Sequence, residues 1–269
     1  RHARQDERIT LMTTQTNLGA ARNFNRVVEV ARGRYFKWAA HDDVIDTTYL
    51  ARCVDALERD GDVVLAFPLA DDIDVAGRVL GPIDSTNYAA DHDRRRRVRA
   101  FFSTVTPCVE IFGLIRTSVL RDTQLLGAYT SSDRVLLLEL ALRGRFDRID
   151  QTLMFRRQHP TRSVSSDDRE RNVWFGTSRN ASTSMPQWRT LLEFWGAILR
   201  GPGSRVTRAL MLGSSCRFVW TRRRRLIREP ARSLVTQLGR LTARLISLVP
   251  AASRSANSRH GDEESERCP

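Results

Sequence analysis

The stretch that decides the fold is NLGAARN at residues 17–23, ARGRYF at residues 31–36 and HDD at residues 41–43. From Gly19 to Ala31 the apolar side chains recur at helical spacing, which predicts a helix. The aromatic run that follows has the composition of a short strand. Two carboxylates, the Asp42–Asp43 pair, come directly after that strand, and this placement is the first in the chain that indicates chemistry.

Segments of the same kind lie on both sides of this stretch. Ile9–Thr13 and Asp62–Leu69 have the apolar character of strands, and Tyr49–Arg59 has the spacing of an amphipathic helix. The alternation of strands and helices predicts an α/β domain built on one sheet. Because ligands of such sheets bind outside the carboxyl ends of the strands, we expect the Asp42–Asp43 pair to face a binding cleft.

The middle of the chain holds another acid at the end of a regular element. Asp133 begins a strongly apolar segment that runs to Leu142, which predicts a helix with a carboxylate in its first turn. Ile149–Arg157 is predicted to be the last core strand, and His159 lies in the loop that follows it. The charge cluster Asp91–Arg99 is predicted to be a solvated loop or helix face, and no chemical role is predicted for its run Arg94–Arg97.

These blocks resemble the central part of family 2 glycosyltransferases. The first block is Asn17-x-Gly19-x-x-Arg22-Asn23, followed by Ala31-x-Gly33-x-Tyr35 and the acids, and the second is Ser132-Asp133 ahead of an apolar helix. The resemblance covers about Asp6 to Ser165. It implies a three-layer α/β nucleotide-sugar-binding sheet of the glycosyltransferase A type. In that family the first strands precede the point where this sequence starts, so the resemblance implies an N-terminally truncated core with weak activity on its own.

The resemblance also implies roles for individual residues. Asp42 and Asp43 would hold a divalent cation, Mg²⁺ or Mn²⁺, against the diphosphate of a nucleotide-sugar donor, with Asp43 as the direct ligand. Asp133 would be the general base of an inverting transfer to a hydroxyl acceptor. Three further residues follow positions that contact the donor in the family, although each is equally compatible with an ordinary surface role: Arg22, Arg157 and His159.

The C-terminal part of the chain carries most of the net charge of +13. Residues 200–249 contain twelve Arg and one acidic residue. Leucines recur there at three- and four-residue spacing: Leu234, Leu238, Leu241, Leu245 and Leu248. These basic amphipathic helices predict attachment to an anionic membrane surface, or else packing on the core or on a second subunit. Residues 166–199 are predicted to be a linker and a helix, and residues 250–269 a disordered tail.

The sequence carries no other targeting or metal signal. No stretch reaches the roughly 18 apolar residues of a spanning helix, and no signal peptide opens the chain. The four cysteines are far apart and form neither a zinc nor a disulfide pattern. We therefore expect a cytoplasmic protein that attaches peripherally to the inner face of the plasma membrane.

The expected function is inverting sugar transfer from a nucleotide sugar to a saccharide or lipid-linked acceptor, in bacterial cell-envelope or polysaccharide synthesis. Two alternatives remain open. One is a non-catalytic peripheral membrane protein that keeps a remnant of the fold. The other is a basic nucleic-acid-binding protein that uses Arg222–Arg225, but no recognition motif accompanies that run, so nucleic acid is the less favoured partner.

Overall fold

The structure is a computed structural model that describes residues 2–104, 107–159 and 185–248, with the backbone alone for residues 2, 232 and 234–248. The helices in these ranges are α1 Ala20–Val30, α2 Tyr49–Arg59, α3 Arg94–Ser103, α4 Thr117–Arg121, α5 Ser132–Arg143, α6 Pro186–Arg200, α7 Arg205–Gly213 and α8 Cys216–Leu248. The strands are β1 Tyr35–Phe36, β2 Val44–Ile45, β3 Val63–Ile73, β4 Val79–Pro82, β5 Leu114–Arg116 and β6 Arg145–Arg157. The predicted mixed α/β architecture is confirmed.

One mixed sheet organises the molecule, with the strand order β1-β5-β3-β6-β2. The long strands β3 and β6 form the parallel centre, and β5 and β2 pair with them antiparallel on either side. β4 folds back on the end of β3 as a hairpin. Val63–Phe67 of β3 is buried at every position, as expected for a central strand that is covered on both faces.

Helices cover both faces of the sheet and give three layers. On one face, α2 packs Tyr49, Cys53 and Leu57 against the sheet. On the other face, α5 is buried on nearly all sides, because α3 and α6 cover the surface that it turns away from the sheet. Gly144 follows α5, and a Cβ there would lie 2.2 Å from the Val64 side chain and 2.6 Å from a backbone oxygen, so the chain can enter β6 only with glycine.

The predicted elements differ in how closely the structure matches them. The helix over Tyr49–Arg59 is confirmed to the residue, and those after Gly19 and at Asp133 are confirmed within a residue or two. The predicted strand Ile9–Thr13 is wrong: this segment has no regular structure, and the Leu11 side chain is 77% exposed. In the described ranges no neighbouring strand pairs with it, and an apolar run without a partner does not form a ladder.

The prediction for Arg94–Arg97 is wrong for two of its four residues. Arg97 is only 4% exposed, and its Nε donates to the carbonyl of Ala141 at 2.7 Å. Arg94 Nε donates to the next carbonyl, that of Leu142, at 2.7 Å. Both carbonyls belong to the last turn of α5, where a helix lacks internal partners and carries partial negative charge. These arginines therefore cap α5 instead of facing water.

The C-terminal helices pack on the same core. Phe194 of α6 contacts Phe101 and Phe102 of α3 on one side and Phe218 of α8 on the other, with ring centres 5.3–5.5 Å apart and edge-to-face geometry. The basic region predicted over residues 200–249 is helical in the described part, with a break between α7 and α8. No helix in the described ranges is long and apolar enough to cross a membrane. Three predicted regions lie outside the described residues: the side chains of the leucine stripe from Leu234 to Leu248, most of the linker at residues 160–184, and the tail at residues 250–269. The predictions made for them stay predictions.

Candidate functional site

The Asp42–Asp43 pair lies in the loop between β1 and β2, not directly at the end of a strand. β1 ends at Phe36, and Asp43 immediately precedes β2, whose Val44 pairs with Phe155 of β6. This pairing brings the acids to the carboxyl end of the long strand β6. The backbone N–H of Arg157, the last residue of that strand, donates to Asp43 Oδ1 at 3.1 Å. The acids therefore lie at the carboxyl end of a strand, as expected, but this strand is β6 and not β1.

Two histidines flank the Asp42 carboxylate. His159 Nε2 lies 2.8 Å from Asp42 Oδ2, and His41 Nδ1 lies 3.6 Å from Asp42 Oδ1. Partial burial raises the pKa of Asp42, but the hydrogen bond with His159 and the nearby imidazoles outweigh it, so the pKa lies below the usual value. Asp42 is therefore ionised over the whole physiological pH range.

Arg157 holds the surrounding loops together. Its Nε donates to the carbonyl of Asp42 at 3.0 Å, and its Nη1 donates to the carbonyls of Asp74 and Val75 at 2.9 and 3.0 Å. One guanidinium thus ties the acidic loop to the turn between β3 and β4. The donor contact predicted for Arg157 stays a prediction, while these bonds give the residue a positioning function.

Lys37 is a residue of this region that no sequence pattern indicated. Its ammonium group donates to the carbonyl of Trp38 at 3.0 Å and lies 4.8 Å from the centre of the Tyr49 ring. Burial lowers the pKa of Lys37, against the opposing influence of Cys53 and of the Asp43 carboxylate. A lysine between a strand and an acidic loop gave no sequence signal, because only the fold places it near Asp43.

Asp133 lies at the start of α5, in a different electrostatic environment. Ser131, ahead of the helix, has a left-handed backbone with φ of 71°, and Asp133 Oδ1 accepts the backbone N–H of Arg134 at 2.8 Å. Burial raises the pKa of Asp133 above the usual value, and the charge and N–H of Arg134 offset this only in part. The carboxylate is therefore easier to protonate than an exposed aspartate.

Buried polar side chains surround Asp133. Tyr88 and Glu110 are 5% and 0% exposed, and the charges of Glu110, Arg134 and Asp133 all influence the Tyr88 hydroxyl. Within the described residues, the hydroxyls of Tyr88 and Ser132 have no hydrogen-bond partner. Buried polar groups without a partner are costly, and they are rare in folded proteins. The sequence analysis selected Asp133 but not Tyr88 or Glu110; the available signal for Glu110 is that it is a single acid in an otherwise apolar segment.

The structure thus brings together four of the residues selected from sequence: Asp42, Asp43, Arg157 and His159. Asp133 belongs to the group around Tyr88 and Glu110. Arg22 is exposed on α1. The role predicted for each of these residues stays a prediction.

The chemistry of the acidic pair suits a small hard cation. Mg²⁺ and Mn²⁺ prefer oxygen ligands, and Mg²⁺ is usually held by one or two carboxylates plus substrate phosphates and water. The described residues contain no group of three or more His, Cys, Asp or Glu side chains arranged to hold a metal ion. Two carboxylates are too few to hold a cation by themselves. They suit a cation whose remaining ligands are phosphate oxygens of a substrate and water.

The sequence was compared with models of known protein families. Residues 1–123 match the family model described as Glycosyl transferase family 2. This part of the chain is similar to glycosyl transferase family 2. The match includes the Asp42–Asp43 pair and Lys37, and it ends before Asp133. No curated protein matches the chain.

Solved structures show the same fold at low sequence identity. The crystal structure of S. aureus TarS 1-349 is 15% identical and matches with a TM-score of 0.51 over 77% of this chain and 53% of that chain. The same protein in complex with UDP-GlcNAc is 15% identical, with a TM-score of 0.49 over 77% and 55% of the two chains. The chain spans about half the length of these structures. The first likeness confirms the glycosyltransferase A-type fold.

Proposed function

We propose that this protein is a family 2 glycosyltransferase that moves a sugar from a nucleotide-sugar donor to a hydroxyl acceptor with inversion at the anomeric carbon. The observation that carries the proposal is the Asp42–Asp43 pair, which lies within the family match and is fixed at the carboxyl end of β6 by His159 and Arg157. One of the two TarS structures is a complex with UDP-GlcNAc. We propose a nucleotide sugar as the donor class here, with the sugar and base left open.

On the donor side, Asp42 and Asp43 would hold Mg²⁺ or Mn²⁺, which neutralises charge on a leaving diphosphate when bound. His159 keeps Asp42 ionised through their hydrogen bond, and Arg157 fixes the position of the loop. Lys37 adds positive charge on the side of Asp43 that faces α2. Arg22 and His159 are proposed to contact the donor, as the family resemblance implies.

On the acceptor side, Asp133 would act as the general base. The acceptor oxygen forms a bond to the anomeric carbon while the bond from that carbon to the diphosphate breaks, and the acceptor proton passes to Asp133. The raised pKa of Asp133 suits this role, because a carboxylate with a higher pKa is a stronger base.

The setting is proposed from the charge of the C-terminal helices. Within the described side chains, Arg217, Arg223, Arg224, Arg225 and Arg228 of α8 are all exposed. Each basic residue near an anionic bilayer contributes on the order of 1 kcal/mol to attachment. We propose that the protein lies on the inner face of the plasma membrane and acts on a saccharide or lipid-linked acceptor of cell-envelope or polysaccharide synthesis.

A transfer assay tests the function. The assay compares the chain with a form extended upstream along its own gene. A panel of nucleotide sugars with Mg²⁺ or Mn²⁺ should yield a free nucleoside diphosphate and a product whose anomeric configuration, read by NMR, is inverted. Release of diphosphate without a metal requirement, or a product with retained configuration, would contradict the proposal. So would the absence of transfer from both forms.

A further inference from the structure

A groove of about 530 Å³ lies between the C-terminal helices. Its walls are Trp195 of α6, Leu212 at the end of α7, and Cys216, Val219 and Trp220 of α8. Its volume is in the range of pockets that take small ligands, roughly 300–1,000 Å³. The sugar-transfer proposal makes no use of it.

The polar atoms in the walls of this groove satisfy one another. Trp195 Nε1 donates to Ser215 Oγ at 3.0 Å, and Ser215 Oγ donates to the carbonyl of Leu212 at 2.7 Å. A polar ligand in the groove would therefore lose its bonds to water without gaining replacements. An alkyl chain loses nothing of this kind, because its burial is favourable in proportion to the apolar area removed from water.

The margin of the groove is also apolar, and a cation lies at its mouth. Leu192 and Leu199 occupy the same face of α6 as Trp195 and are 56% and 53% exposed. Trp220 is 68% exposed, and the Arg223 guanidinium lies 4.3 Å from the centre of its ring. Arg223 also donates to the carbonyl of Trp220 at 2.8 Å, which fixes the cation beside the groove.

The charge of the surrounding helices favours an anion. Residues 185–248 contain thirteen Arg and two acidic residues, Glu193 and Glu229. Glu193 lies 3.9 Å from Arg189 on its own helix, and Glu229 accepts the first backbone N–H groups of α6. Both acids are thus used within the helix packing, and no described carboxylate pairs with Arg223. A ligand with an apolar tail and a negatively charged head complements this surface.

We propose that the groove binds one acyl chain of an anionic phospholipid, with the head group against Arg223. This goes beyond sugar transfer and beyond general attraction to a charged membrane, because it assigns a discrete site to a single lipid chain. The site explains why Trp220 and two leucines of α6 are exposed around a cavity while the arginines of α8 lie beside it.

The test uses the thiol of Cys216, which lies in the wall of the groove and is exposed, whereas Cys53 and Cys108 are buried. In a Cys268→Ser background, the rate at which a water-soluble maleimide modifies Cys216 is measured with monomeric myristoyl lysophosphatidylglycerol, below its micelle concentration. Lipid at ten times its Kd should slow modification about tenfold, because mass action leaves about a tenth of the sites empty. Glycerophosphoglycerol, the head group without the chain, should have no effect.

Matched variants distinguish the groove from coating of the helix. Ile227 is 74% exposed on α8 outside the groove, so Ile227→Cys in a Cys216→Ser, Cys268→Ser background should stay reactive when lipid is added. Arg223→Gln should reduce protection to the level given by zwitterionic lysophosphatidylcholine, whereas Arg228→Gln should leave it intact. Equal protection of both thiols, no protection of Cys216, or equal effects of the two lipids on the unsubstituted groove would overturn the proposal. So would protection that rises with protein concentration without lipid, which would indicate a second copy of the chain in the groove.

Discussion

Asp42 and Asp133 are the same kind of side chain near the end of a regular element, yet their surroundings act on them in opposite directions. Asp42 accepts a hydrogen bond from a histidine and has a second imidazole nearby, which together hold its pKa below the usual value. Asp133 lies among buried groups at the start of α5, and desolvation raises its pKa. One carboxylate therefore keeps its charge, and the other accepts a proton readily.

This difference is what sugar transfer with a metal-dependent donor requires. A carboxylate that holds a cation must stay ionised, while a carboxylate that takes a proton works best when its pKa approaches the working pH. Pairs of acids whose surroundings move their pKa values apart are a recurring arrangement in enzyme sites. The difference in pKa therefore supports the two roles independently of the sequence resemblance.

Replacement of Asp43, the proposed metal ligand, should have the largest effect on sugar transfer. Asp43→Ala should lower kcat/KM on the order of 10⁴-fold, since a bound cation contributes several kcal/mol to transition-state stabilisation. Added Mn²⁺ should not restore activity. The control is Asp55→Ala, at an exposed acid on α2, which should transfer sugar at the original rate. Activity of Asp43→Ala within tenfold of the unsubstituted protein would remove the metal role from this residue.

Replacement of Asp133, the proposed base, should have the next largest effect on sugar transfer. Asp133→Asn keeps an oxygen that accepts the Arg134 N–H but cannot take a proton, so kcat should fall on the order of 10³-fold, within the range for general-base catalysis. Steady-state kinetics should show little change in the KM for the donor. A variant that loses donor affinity and retains kcat would place Asp133 on the donor side and remove the distinction from Asp43.

The pH dependence of kcat/KM should follow Asp133. A general base acts in its deprotonated form, so activity should fall as pH decreases through a pKa that burial has raised above that of an ordinary carboxyl. Asp42, with its lowered pKa, should contribute only at more acidic pH. The pH profile of the residual activity of Asp133→Asn should lack the fall in activity at the raised pKa of Asp133. If that variant kept the transition unchanged, another group would be the base.

The smallest effect concerns stability, and its sign differs between the two acids. The lowered pKa of Asp42 means that its ionised form stabilises the fold at neutral pH, and that this contribution is lost as pH falls through the lowered pKa. The raised pKa of Asp133 means that its stabilising contribution is present at low pH and lost as pH rises through the raised pKa. At pH 7, Asp42→Asn should therefore destabilise the protein by about 1 kcal/mol and Asp133→Asn should stabilise it slightly, as measured by urea unfolding. If both substitutions changed the free energy of unfolding in the same direction, the comparison of the two acids would be contradicted.

The sequence predicted the parts of this fold that depend on local pattern. The helix α2 and the apolar helix that Asp133 begins were predicted because their apolar residues recur with the period of a buried helix. The strand at Ile9–Thr13 was predicted for the same kind of reason and is wrong, because a strand also needs a pairing partner that local pattern does not reveal.

The long-range contacts of charged residues were not predictable in this way. Arg94–Arg97 and Arg222–Arg225 are identical in sequence, but Arg94 and Arg97 cap α5, whereas Arg223, Arg224 and Arg225 face solvent. Likewise, the sequence selected the Asp42–Asp43 pair but not Lys37 or Tyr88, which reach the acids only through the fold. The identity of a charged residue thus predicts its chemistry, and the elements packed around it decide whether that chemistry is available to a ligand.

Donor binding tests the central claim most directly. Calorimetric titration of the form that transfers sugar, with its nucleotide-sugar donor, is repeated for Asp133→Asn and Asp43→Ala, each with Mg²⁺ and after chelation. We predict that Asp133→Asn binds the donor with a Kd within about twofold of the unsubstituted protein, because the proposed role of Asp133 concerns only the acceptor. Chelation of the metal should weaken donor binding by this variant. Asp43→Ala should bind weakly and should not respond to the metal. Donor binding that is independent of Mg²⁺ in the unsubstituted protein, or that is weakened equally by the two substitutions, would contradict the assignment of the two acids to different roles.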